Sequence, residues 1–207
     1  MYRGMERLES RMLLSAVPPQ VMTLMTDRAT LLADVKAVRA DIKTCQLTEA
    51  ADLRAVTKDL KSAKTAQNRA LLTTLRTDDK ACIRTLTTDL KTLFGHGSKD
   101  VNHALKDARL VLKNPSDAAA RAKLTADLSS LQTDATGSHL AAEVAACQTT
   151  ENADLNAIAS ANPSNTQLQT DVGTAHSDAG TCSTAVQTAA STLATDIAKF
   201  VTDAGAV

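Results

Sequence analysis

Between Pro19 and Gly95 the chain contains no proline and no glycine, and apolar residues recur through that stretch at steps of three and four. Leu31, Val35, Val38, Ile42 and Cys45, then Leu53, Val56 and Leu60, form one such series; Leu72, Leu75, Cys82, Leu86, Leu90 and Leu93 form a second. A spacing of this kind puts the apolar side chains on one stripe of an α-helix, whereas a half-buried strand would alternate them. The segment Lys61–Asn68 between the two series is polar apart from alanine, which predicts a turn there and folds the two helices back on each other. The first consequence is therefore an all-α chain that begins as a long antiparallel hairpin.

Further punctuation divides the rest. The string FGHGS at 94–98 reads as a helix stop, with Ser98 available to cap a new start. Asn114-Pro115-Ser116-Asp117, Thr136-Gly137-Ser138 and Asn162-Pro163-Ser164-Asn165 read as turns. The final segment carries the most regular seam: Leu168, Val172, Ala175, Ala179, Cys182, Val186, Ala189, Leu193, Ile197, Phe200 and Ala204. Such a sustained stripe is the mark of coiled-coil-like packing. The expected architecture is an elongated antiparallel helical bundle with four consecutive parts. Residues 1–19 form an N-terminal segment, 20–94 a first helical hairpin, 95–138 a shorter helical pair and 139–207 a second hairpin.

Composition narrows the function classes. One Tyr, two Phe and no Trp leave an aromatic fraction of 1%. Such a chain lacks both the large packing units of an ordinary enzyme core and the platforms on which single-stranded nucleic acid stacks. The net charge is zero, so no overall basic footprint marks a nucleic-acid partner either. Every apolar run is interrupted well before the roughly 18 residues of a membrane span, and no transmembrane helix is expected. Thr and Asp are mediocre helix formers, so the helices depend on packing of the apolar seam more than on propensity.

The four cysteines make the strongest constellation. Cys45, Cys82, Cys147 and Cys182 each lie on a seam, each with an acid four positions earlier: Asp41, Asp78, Glu143 and Asp178. Three are followed at seven and eight residues by an Asp-Leu pair, namely Asp52-Leu53, Asp89-Leu90 and Asp154-Leu155. This is a degenerate repeat of the kind two related hairpins would leave. In an antiparallel hairpin, residues equidistant from the turn face each other. The midpoints of Cys45/Cys82 and of Cys147/Cys182 both fall inside expected turns, which predicts disulfides Cys45–Cys82 and Cys147–Cys182. Each would close a loop of about 36 residues and stabilise the fold by roughly 4 kcal/mol in the chain-entropy model. Buried free thiols are the competing reading. A metal site is disfavoured because no C-x-x-C or H-x-x-x-H spacing occurs, and no metal or other cofactor is expected.

Catalytic patterns are missing. The chain has no P-loop, no dinucleotide fingerprint and no nucleophile elbow, and His96, His103, His139 and His176 are scattered. Asp34, Asp41, Asp52 and Asp59 have the spacing of a solvated helix face. The chain reads as a non-enzyme. Charge is uneven along it: residues 1–113 hold 20 Lys+Arg against 13 Asp+Glu, while residues 114–207 hold 3 against 10. Opposite halves of this kind attract within a monomer or between copies.

The N-terminus differs in kind from the body. Leu8-Glu9-Ser10-Arg11-Met12-Leu13-Leu14-Ser15-Ala16 resembles the LEPR-XLL N-terminal domain found at the start of many planctomycete surface and exported proteins. Leu8, Glu9, Arg11, Leu13 and Leu14 match its pattern, and Ser10 stands where the family usually has proline. The resemblance implies sorting to the cell envelope or the exterior, and nothing about the activity of the remaining chain. With the cysteines, it leads to the expectation of a non-catalytic structural or interaction protein acting on an unknown protein partner or on itself. Three alternatives remain open: a bundle that binds a small apolar ligand or metal, a weak electrostatic adaptor for anionic polymers, and a cytoplasmic location.

Overall fold

The computed structural model describes residues 18–60, 65–137 and 139–207, with the backbone alone at 92–98 and 135–137. The described residues are all-α. They form five helices: α1 Pro19–Asp59, α2 Ala66–Lys113, α3 Ala118–Gly137, α4 Leu140–Ala161 and α5 Thr166–Gly205. No described helix is long and apolar enough to cross a membrane. The expected turn at 61–68 is narrower than its polar composition predicts, since α2 is already under way at Ala66; residues 61–64 lie outside the described residues.

Local chemistry sets the boundaries. Pro19 opens α1, where its missing N–H costs nothing, and the Pro18 carbonyl accepts from the amides of Val21 (2.9 Å) and Met22 (3.2 Å). Thr65 Oγ1 accepts the Asn68 amide at 3.0 Å to cap α2. Asp117 Oδ1 accepts the amides of Ala119 and Ala120, both at 3.0 Å, to cap α3. Asn165 Oδ1 accepts the Leu168 amide at 3.1 Å to cap α5. These are the short oxygen-bearing residues that satisfy a helix's orphan N–H groups. The threonines are accommodated by donating to their own helix, as Thr44 does to the Ala40 carbonyl (2.9 Å) and Thr188 to that of Thr184 (2.8 Å).

The helix stop expected at 94–98 is not there, for α2 runs unbroken from Ala66 to Lys113. Two glycines in a helix interior cost about 1 kcal/mol each, which interrupts a marginal helix but not one with buried seams on both sides. The separate helix expected before Lys113 is the last part of α2.

By contact, the chain groups into two units that interleave along the sequence rather than succeeding one another. Of the described residues, one comprises 18–32, 96–136 and 195–207; the other comprises 33–60, 65–95, 137 and 139–194. In the first, Val21, Leu24, Val101, Ala104, Ala108, Val111, Leu124, Leu131, Ile197 and Phe200 are buried. Asp27 interrupts the seam of α1 there and is answered by Lys199 of α5, which also donates to Asp203 at 2.8 Å. The second unit is built from two hairpins, α1/α2 and α4/α5. Its core includes Val56, Leu60, Leu75, Leu155, Ile158, Leu168 and Val172.

Candidate functional site

The turn ends of the two hairpins in the second unit are tied by amide groups. Asn68 and Asn162 exchange side-chain hydrogen bonds, each Nδ2 donating to the other's Oδ1 at 3.0 Å, and Asn165 Nδ2 donates to the Asp59 carbonyl at 3.2 Å. This fixes the relative height of the four helix segments. Cys82 and Cys182 each stand 17 residues after the capping residue of their helix, Thr65 and Asn165. Cys45 and Cys147 each stand 14 residues before the last residue of theirs, Asp59 and Ala161. At 1.5 Å of rise per residue the four sulfurs arrive at one level. They line one cavity of about 30 Å³, together with Ile42, Leu86, Val144, Val186 and other side chains.

Within that layer the bridge joins Cys82 of α2 to Cys147 of α4, with 5.6 Å between their Cα atoms. This corrects the expected pairing: the disulfide links the two hairpins and not the two helices of one. Equidistance from a turn placed each cysteine at the right level. In a four-helix packing, however, each helix has two neighbours at that level, and the hairpin rule considers only one. Cys45 and Cys182 carry free thiols, the first buried and the second half-buried, and their side chains lie within hydrogen-bonding reach of each other.

The acids of the repeat acquire a spatial meaning. Glu143, four before Cys147, contacts Asp89, seven after Cys82; Asp78, four before Cys82, contacts Asp154, seven after Cys147. Asp178 of α5 and Asp52 of α1 have the same sequence relation to their cysteines, and Asp178 acts on Asp52 as a nearby like charge. In an antiparallel pair of helices, an acid below one cysteine meets an acid above the other, so the spacing read along the chain is a contact pattern between helices. Asp34, Asp41, Asp52 and Asp59, expected on a solvated face, are half-buried instead. Asp59 meets Asp171.

Burial, reinforced by like charge, raises Glu49, Asp52, Asp59, Asp79, Glu143, Glu151 and Asp154. Glu49 is pushed up to about 7 by burial and then by Asp79 and Asp52. Glu151 is pushed up to about 8 by burial and then by Glu49, Asp79, Asp52 and Asp154. Asp79 is raised to about 6 by burial and by Asp154 and Asp78. Glu143 Oε2 and Asp154 Oδ2 are buried without an N–H or hydroxyl donor. A proton held between either group and the carboxylate it faces supplies the missing hydrogen bond. Burial also raises the Cys45 and Cys182 thiols, with Glu49 adding to the effect on both.

A groove of about 350 Å³ opens beside the bridge, lined in part by Glu49, Asp79, Glu143 and Glu151. Among the described residues no group of three or more His, Cys, Asp or Glu side chains is placed to hold a metal ion. His103 and His139 are exposed, and His139 caps α4 without a side-chain hydrogen bond. His176 lies between the amide oxygens of Asn152 and Asn156. The motif residues Leu8, Glu9, Arg11, Leu13 and Leu14 lie outside the described residues. No family model, no curated protein and no solved structure matches the chain.

Proposed function

We propose that the chain is a non-catalytic structural or interaction module of the cell envelope or exterior, made durable by covalent bonding between helical hairpins. The observation that carries this reading is the Cys82–Cys147 bridge inside a layer that gathers all four cysteines. Disulfides persist in oxidising compartments, which agrees with the sorting implied by the LEPR-XLL-like N-terminus. The cavity at the layer has about 30 Å³, room for about one water, which disfavours an internal small-molecule ligand. The partner in this reading is another protein or a second copy of the chain.

The test is fractionation of cells producing the chain from its own N-terminus. The module reading expects it in the envelope or medium; retention of the whole population in the cytoplasm contradicts it. One observation favours the anionic-polymer adaptor as a second reading. Arg28, Lys106 and Arg109 line a groove with Met25, Asn102 and Leu105 in the first unit. Retention on an anionic matrix that disappears at raised salt would select that reading.

A further inference from the structure

We propose that Cys45 and Cys182 form a second disulfide, α1 to α5, which is the counterpart of Cys82–Cys147 under exchange of the two hairpins. The exchange maps α1 onto α4 and α2 onto α5. It carries Cys45 onto Cys147 by their equal distance from the helix end, and Cys82 onto Cys182 by their equal distance from the cap. The bridge Cys82–Cys147 is thereby carried onto Cys182–Cys45.

Most of the surroundings obey the same operation; the exception is Glu143–Asp89, whose images are Asp41 and Ala189. Asp78–Asp154 maps onto Asp178–Asp52: the first pair is in hydrogen-bonding contact, and in the second Asp178 acts on Asp52 as a nearby like charge. Glu49 and Glu151 exchange places, each four residues after its cysteine. Around the layer, Ile42 exchanges with Val144 and Leu86 with Val186, all four buried and all lining the shared cavity. The two thiols already touch. A half-filled layer is thus one oxidation short of two equivalent cross-links, each spanning the two hairpins.

The chemistry balances with a low-molecular-weight disulfide as oxidant. The thiolate of Cys182, the more accessible of the pair, attacks one sulfur of oxidised glutathione and expels one glutathione thiolate. Deprotonated Cys45 then attacks the Cys182 sulfur of the mixed disulfide and expels the second glutathione. Two protein thiols become one disulfide, and one oxidised glutathione becomes two reduced molecules. The inference deepens the module reading and rests on it only for where the oxidant is met in the cell.

The experiment uses the full chain, reduced and then equilibrated with oxidised glutathione in vitro, so its failure is distinct from a failure of localisation. The protein is alkylated, denatured unreduced and cleaved at acidic residues as well as at Lys and Arg, because no Lys or Arg stands between Cys147 and Cys182. The expected map contains Cys45 linked to Cys182 and Cys82 linked to Cys147, with the free-thiol titre falling from four to none. Alkylated Cys45 and Cys182 beside an intact Cys82–Cys147 bridge would overturn the proposal, as would Cys45–Cys82 or Cys147–Cys182 peptides. A second measurement uses the double variant Cys82→Ser/Cys147→Ser, kept helical by circular dichroism. It should lose two hydrogens on oxidation and stay monomeric; two persistent free thiols in the folded variant would also overturn it.

Discussion

Residue by residue, the acids that face one another make stability depend on pH in a definite direction. Glu49 at about 7 and Glu151 at about 8 hold protons in the folded state that the unfolded chain would release near pH 4 to 5. A group raised in this way contributes stability that is fully present below its unfolded value and is lost as pH rises through its folded value. Thermal unfolding monitored by circular dichroism should therefore show a higher midpoint near pH 5 than near pH 8.5, with most of the fall between. Glu151→Gln keeps the group neutral at every pH. It should stabilise the protein at pH 8.5 by roughly 1–2 kcal/mol, after discounting for partial exposure, and change little at pH 5. The bridge is tested by Cys82→Ser. In oxidised protein the variant should lose about 4 kcal/mol in the chain-entropy model for a loop with a separation of 65 residues, and in reductant almost nothing. Equal losses under both conditions would assign the effect to packing.

At the scale of elements, most of the helices are legible because their apolar seams recur at steps of three and four over most of their length and their ends carry oxygen caps or proline. Leu168, Val172, Ala175, Val186, Leu193 and Phe200, read as one stripe of α5, are all buried. Gly95 and Gly97 misled because a local propensity cost of about 1 kcal/mol each says nothing of the packing that outweighs it. Gly173 of α5 tests the same balance elsewhere, since a Cβ there would meet nothing within 4 Å. Gly173→Ala should stabilise the protein by up to about 1 kcal/mol in denaturant unfolding. The clasp at the turn ends is not legible in the sequence: Asn68 and Asn162 read as turn residues, and only the meeting of two hairpins pairs them. Asn68→Ala removes both reciprocal bonds from the Asn162 amide. A loss of roughly 1–3 kcal/mol is expected in the same assay, and an unchanged midpoint would show that the clasp contributes nothing.

At the scale of the whole molecule, the sequence carries the all-α class and the level of each cysteine within its own hairpin, but not which helices are neighbours at that level. Cys45, Cys82, Cys147 and Cys182 each have the right distance from a helix end. The choice between partners depends on the lateral order of four helices, and no spacing along one chain encodes that order directly. The acids show the same limit. Asp52, Asp78, Asp89, Asp154 and Asp178 are visible as a repeat, yet the like-charge neighbours that help to raise Asp52 and Asp154 emerge only once α1 lies against α5 and α2 against α4. The central claim is that a covalent bond between hairpins forms where the protein works. Linkage mapping of protein taken directly from its native producer, with thiols trapped by alkylation at lysis, tests it most directly. A peptide joining Cys82 to Cys147 is the predicted result; four alkylated cysteines would contradict it.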